Sequence, residues 1–180
     1  MVWYHIIIMN MKEASIGIFF SDNQTKVLLV KRRDTPVWVL PGGGMDPQES
    51  PEDAVIREFF EETGLEVTIK RRVGTWHPIN KLATTTHVFE CLLQTNRKSL
   101  TFAPQEESLE VKLWPISNLP KFVFFLHKNW IDEARKNRPE PQEYAMKELT
   151  YTRCFLLILQ HPIRCLRYLL ARLGFPINTR

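Results

Sequence analysis

A chain of 180 residues, 44% hydrophobic and 24% charged, has apolar material for one packed domain and excludes a disordered or low-complexity protein. Its three cysteines (Cys91, Cys154, Cys165) form no CxxC pair, which excludes a disulfide framework and a zinc site of the usual spacing. The formal charge of +4 is unevenly placed: residues 1–135 carry 16 Lys and Arg against 17 Asp and Glu, residues 136–180 carry 8 against 3. A near-neutral main body argues against a nucleic-acid partner, since duplex binding rests on many phosphate contacts.

Residues 1–9 are apolar but short and lack a basic leader, so they predict a first strand and a cytoplasmic protein rather than a secreted one. Residues 14–20 and 26–31 are β-rich runs separated by the turn-forming Ser21-Asp22-Asn23-Gln24. A short apolar run at 37–40 stops at Pro41 and three glycines. Residues 50–64 read as a helix, and 66–73, 86–94 and 109–114 as strands. In the second of these, His87, Phe89, Cys91 and Leu93 alternate with Val88, Glu90 and Leu92. Residues 122–136 predict a further helix, and Arg138-Pro139-Glu140-Pro141 reads as a linker. Strands on both sides of a helix, then a late helix, predict an α+β domain over residues 1–136 with a mixed sheet. A basic helical extension is expected over 137–180.

The helix at 50–64 has clear ends. Ser50 is a good N-cap, Pro51 suits the first position, Asp53 completes a capping-box spacing, and Gly64 is placed to close the last turn. Helical spacing puts Val55, Ile56, Phe59 and Phe60 on one arc and Glu58, Glu61 and Glu62 on the opposite one. Carboxylates so placed repel one another unless something positive faces them, and only Arg57 is near, off to one side. Hard divalent cations favour oxygen ligands, and magnesium is commonly shared between carboxylates and substrate phosphates. A charged surface helix is the plainer alternative.

The preceding residues favour the cation. Val39-Leu40-Pro41-Gly42-Gly43-Gly44 runs a strand into a loop whose backbone a ligand can approach. Gly43, Glu49, Arg57-Glu58-Phe59, Glu61-Glu62 and Gly64-Leu65 fall at the spacing of the Nudix box, and the chain resembles the Nudix hydrolase family. Phe59, where that family usually has an aliphatic residue, is a departure that concerns packing.

The resemblance implies an α/β/α sandwich that hydrolyses a small phosphorylated substrate, a nucleoside diphosphate linked to another moiety, with Mg2+ as cofactor and Mn2+ as its substitute. It implies Glu58 and Glu62 as principal metal ligands, Glu61 beside them, the Gly42 carbonyl as a backbone ligand, and Glu49 as the partner that orients Arg57. Gly43 and Gly44 would lie against substrate. For the general base it offers Glu107, with Glu106 or a glutamate of the box as alternatives. Arg33, in Lys31-Arg32-Arg33, matches an arginine that clamps a substrate phosphate in family members, and its forked guanidinium suits that task. Trp38, Trp76 and His77 could stack on a base, although aromatics are more often core.

Residues outside the box separate the subfamilies. The leader of coenzyme A-specific members is missing before Leu40, and Trp76-His77-Pro78-Ile79-Asn80-Lys81-Leu82 lacks the tyrosine of dinucleoside polyphosphate members. A nucleoside triphosphate or similar small triphosphate therefore leads. ADP-ribose or a nucleotide sugar is the alternative, and a non-catalytic nucleotide sensor a third reading. In the tail, Cys154-Phe155-Leu156-Leu157-Ile158-Leu159 precedes a segment where Ile163, Leu166, Leu169, Leu170 and Leu173 form one helical arc and Arg164, Arg167 and Arg172 the other. Such a helix packs on its own domain, on a second subunit in a homodimer, or on an anionic membrane surface.

Overall fold

The computed structural model describes residues 13–21, 23–35, 37–94 and 108–172. The strand expected over residues 1–9 lies outside them. The chain runs β1 (Ala14–Phe19), β2 (Lys26–Arg32), β3 (Trp38–Val39), β4 (Gly42–Gly44), α1 (Pro51–Thr63), β5 (Val67–His77), β6 (Thr86–Leu93) and β7 (Ser108–Pro115). It continues through α2 (Phe125–Arg135), β8 (Gln142–Ala145), α3 (Tyr151–Gln160) and α4 (Pro162–Arg172).

Five strands form a mixed sheet in the order β4-β1-β6-β5-β8, with β1 parallel to β6 and β5 parallel to β8. A smaller antiparallel sheet has the order β3-β2-β7. The unbroken apolar run Val27-Leu28-Leu29-Val30 shows why two layers of helix are needed, since a strand covered on both faces has no polar side to present. Val27 and Leu29 pack with Trp38, Trp130 and Ile131 on the α2 side, while Leu28 and Val30 pack with Val55, Phe59 and Phe89 on the α1 side. The result is an α+β fold with helices on both faces of the sheets and further helices at the C-terminal end.

Two elements elude the sequence pattern. Gly42–Gly44 pairs with β1 as an edge strand, although three glycines read as a loop. Gln142–Ala145 falls in the expected extension but adds the fifth strand beside β5. There Tyr144 stacks on Trp76 with ring centroids 4.7 Å apart, and Met146 and Leu149 are buried, so the core continues through residue 149. The helix expected at 122–136 starts only at Phe125. Before it, Trp38 takes up backbone hydrogen bonds with Phe122 and Phe124 (2.8 and 3.0 Å), which holds that stretch extended.

Two buried ionisable groups tie α2 to the rest. His127 accepts the Leu40 N–H on Nδ1 at 2.7 Å, and burial holds its imidazole down at about 3, so it is neutral in the fold. Glu133 accepts hydrogen bonds from Lys136, from Arg138 Nε at 2.8 Å and from the Tyr144 hydroxyl. Burial alone would raise its carboxyl, but those donors outweigh it and hold the group at about 2.

A chain ending at Pro141 loses β8, Met146 and Leu149 and is expected to be destabilised by about 3 kcal/mol or more in urea unfolding. One ending at Thr150 keeps them, loses only the contacts of Arg153, Cys154 and His161 with the domain, and is expected to lose about 1 kcal/mol. Equal midpoints would show that β8 contributes nothing. A second expectation concerns acid. His127 has an ordinary value of 6.5 and a folded value of about 3, so the unfolded chain binds the proton first and stability falls as pH drops from 6.5 towards 3. Glu133 extends the loss from 4.5 towards 2. Thermal melts of His127→Asn should be flatter with pH between 6.5 and 4.5 than those of the parent.

Candidate active site

The site is built on β1, which carries both of its parts. β4 pairs with it in the register Ala14–Gly44, Ser15–Gly43 and Ile16–Gly42. The Ser15 hydroxyl donates to the Pro51 carbonyl at 2.8 Å and so fixes the start of α1. Ser50 Oγ accepts the Asp53 N–H at 3.1 Å, and Gly64 closes the helix at φ 69°, donating to the Phe60 carbonyl at 2.7 Å. A neutral hydroxyl cap and two acidic residues in the first turn suit the positive end of the helix.

The orientation of α1 corrects the expected arcs. Ala54, Val55, Phe59, Glu62 and Thr63 are buried, whereas Ile56 and Phe60 are exposed. At about 100° per residue, seven steps bring Glu62 back to within about 20° of Val55, so it faces inward beside the apolar stripe. Glu62 is 6% exposed and accepts the Gly42 N–H at 3.0 Å. Glu58 lies on the same flank with its side chain 16% exposed, and Glu61 stands outside at 55%. Glu62 and Glu58 face β4 and Glu61 stands at the outer edge of the same flank, so the three grade from buried to exposed rather than forming one solvent face opposite the core.

Arg57 belongs to this flank. Its Nε and Nη2 each lie 2.8 Å from a Glu49 oxygen, a two-pronged pair across the turn before α1. Nη2 also donates to the Gly44 carbonyl at 3.1 Å, and Nη1 donates to Glu58 at 2.9 Å and Glu61 at 3.0 Å. The hydrogen bond from Arg57 holds the Glu49 carboxyl at about 2, and the bond to Glu49 in turn pushes the Arg57 guanidinium up. Like charges are thus held close by one shared cation.

Close packing over these groups depends on absent side chains. Gly42 has φ +142°, and a Cβ there would stand 2.3 Å from the Ser15 carbonyl oxygen. A Cβ on Gly43 would fall 2.7 Å from the Glu58 carboxyl group, so bare backbone covers that carboxylate.

The remaining expected residues divide. Arg33 Nη2 donates to the Ser108 carbonyl at 3.1 Å, and Ser108 Oγ donates to the Glu62 carbonyl at 3.1 Å, which sets Arg33 beside the C-terminal end of the flank. Glu106 and Glu107 lie outside the described residues. Trp38 and Trp76 are core, Trp38 edge-on to Trp114 and Trp76 against Trp130 and Tyr144. His77 is exposed and pairs with Glu143 at 2.6 Å. Sequence reasoning missed His127, whose hold on Leu40 positions the backbone between β3 and Gly42; nothing in its spacing distinguishes it from a surface histidine.

The donor set fits a hard divalent cation: glutamate oxygens with a backbone carbonyl strand beside them, and no sulfur or imidazole. Among the described residues no group of three or more His, Cys, Asp or Glu converges as a ready-made cage. Glu58 and Glu61 hold Arg57 and Glu62 holds Gly42, so a cation would compete with these contacts.

A NUDIX domain family model matches residues 11–135. The chain belongs to the NUDIX family. It is 49% identical over 64 residues, 36% of this chain and 42% of the relative, to a Bacillus subtilis (strain 168) protein provisionally named an 8-oxo-dGTP diphosphatase. It is 37% identical over 79 residues, 43% of this chain and 48% of the relative, to diphosphoinositol polyphosphate phosphohydrolase 3-alpha of Mus musculus. Each match spans less than half the length of these relatives. Among solved structures, a NUDIX hydrolase from Nitrosomonas europaea aligns with TM-score 0.63 at 25% identity, covering 77% of this chain and 80% of that one. An ADP-ribose pyrophosphatase from Streptococcus suis aligns with TM-score 0.60 at 24% identity, covering 76% and 99%, a likeness of fold.

Gly42→Ala should cost about 2–3 kcal/mol in denaturant unfolding, because its Cβ meets backbone that cannot yield. Gly43→Ala should stay within about 1 kcal/mol of the parent, because only the mobile end of Glu58 must move. The reverse order of costs would refute this account of β4.

Proposed function

We propose that the chain is a Mg2+-dependent pyrophosphohydrolase that cleaves a nucleoside triphosphate, or a similar small triphosphate, to a monophosphate and pyrophosphate. The observation that carries this reading is the flank of Glu58 and Glu62 packed under β4, with Glu61 at its outer edge, organised by the Glu49–Arg57 pair in a chain of the NUDIX family. The relative named an 8-oxo-dGTP diphosphatase adds support for a triphosphate.

Glu58 and Glu62 would hold the cation, with Glu61 and the Gly42 carbonyl beside them. When bound, the cation supplies Lewis-acid neutralisation of the phosphate oxygens and a more acidic water. The chain's own residues do the rest. The Glu49–Arg57 pair keeps the turn before α1 closed and Gly44 in place, so substrate phosphates meet a backbone already ordered. Arg33 clamps a phosphate with its forked donors. Glu107, Glu106 or a glutamate of the box takes the proton from the attacking water.

A second reading is a diphosphate group on a polyphosphorylated non-nucleotide, favoured by the similarity to the mouse diphosphoinositol polyphosphate phosphohydrolase. A screen of nucleoside triphosphates, nucleotide sugars with ADP-ribose, and diphosphorylated inositol phosphates separates the readings by which arm releases product.

Glu62→Gln should lower kcat by on the order of 100-fold or more with an unchanged melting curve. Glu49→Gln, which loosens Arg57 without touching substrate, should cost roughly 10–100-fold. Products from a triphosphate should be monophosphate and pyrophosphate; orthophosphate alone would reject the cleavage position, and full activity of Glu62→Gln would reject the metal assignment.

A further inference from the structure

We propose that the α3–α4 hairpin docks the protein on anionic lipid headgroups, lying on a membrane surface rather than crossing it. No side chain of α3 is fully buried. Tyr151, Phe155, Leu156 and Leu159, with Ile163 and Leu166 of α4, are between 53% and 74% exposed. At about 100° per residue, the four on α3 occupy one arc of roughly 140°. So many large apolar groups on one small unit mark an interaction surface, not scattered surface residues.

The opposite side of the hairpin is what meets the domain. Cys154 packs against the core, the Arg153 guanidinium lies 4.0 Å from the Phe125 ring centroid, and His161 sets an edge against Phe122 at 6.4 Å. These contacts fix the hairpin with its apolar arc outward. The two helices also hold each other, with Cys165 Sγ donating to the Leu157 carbonyl at 3.7 Å.

Charge selects the occupant. Residues 151–180 contain 5 Arg and no Lys, Asp or Glu, and four of the five follow Arg153, the one held against Phe125. Two copies of such a segment would bring like charges together, whereas an anionic surface neutralises them while the apolar arc enters the headgroup layer. Helices of 10 and 11 residues are about half the length needed to span a bilayer. Among the described residues no helix is long and apolar enough to cross a membrane.

The test is sedimentation of the full chain with vesicles of phosphatidylcholine alone or mixed with phosphatidylserine. The mixed vesicles should take up at least about tenfold more protein, and the difference should shrink as salt screens the surface. Leu156→Glu with Ile163→Glu should abolish uptake while circular dichroism and the thermal midpoint stay unchanged. Equal uptake on both vesicles, or none, overturns the proposal, and the salt titration of the parent decides it should the double variant fail to fold. Sedimentation equilibrium showing a dimer that the variant dissolves, without vesicle uptake, assigns the face to a second copy instead.

Discussion

The two-pronged contact between Glu49 and Arg57 is the constraint on which the site depends. It spans the turn between β4 and α1, and the same guanidinium reaches Gly44, Glu58 and Glu61. One cation thereby fixes the backbone that covers the glutamates and lets them stand close together. An isolated exposed ion pair contributes little, but a planar fork with several partners and partial burial is a geometric clamp. Its value is in order more than in stability, since it fixes the turn, the backbone of Gly44 and two glutamates at once.

Behind that clamp, the two helical layers carry different burdens. α1 supplies the glutamate flank of the candidate site, and the packing of Val55 and Phe59 in the core sets its rotation. α2 supplies no site residue but reaches the site through His127, which holds the backbone two residues ahead of Gly42. A neutral imidazole fills that role well because it accepts a hydrogen bond in an apolar setting without carrying charge. Glu133 does the corresponding work at the far edge, where α2, the turn after it and β8 meet.

Much of this was legible in the residues themselves. The caps of α1, the alternation in β6 and the β-rich run of β2 announced their elements because each has a local physical cause. The box residues were legible as a set because their spacing joins a turn to a helix face. What escaped had causes remote in sequence. β4 contains only glycine and offers no period to read, and it becomes a strand because β1 lies beside it. β8 is a four-residue strand between prolines and a helix, recognisable only by what Trp76 and Glu133 do with Tyr144. Helical spacing puts Ile56 and Phe60 on one arc with Val55 and Phe59, but the sheet covers only the narrower stripe of Val55 and Phe59 and draws Glu62 in beside them.

β4 has a further bearing on how the molecule keeps to itself. It is the last strand of its sheet, and glycine gives it no side chain with which to fend off another chain's strand. Its Gly42 amide is engaged by Glu62 and its Gly44 carbonyl by Arg57, so two groups that a foreign ribbon would seek are already taken. The carboxylate and guanidinium of the candidate site therefore also shield a naked border, and a variant stripped of them would be prone to self-association.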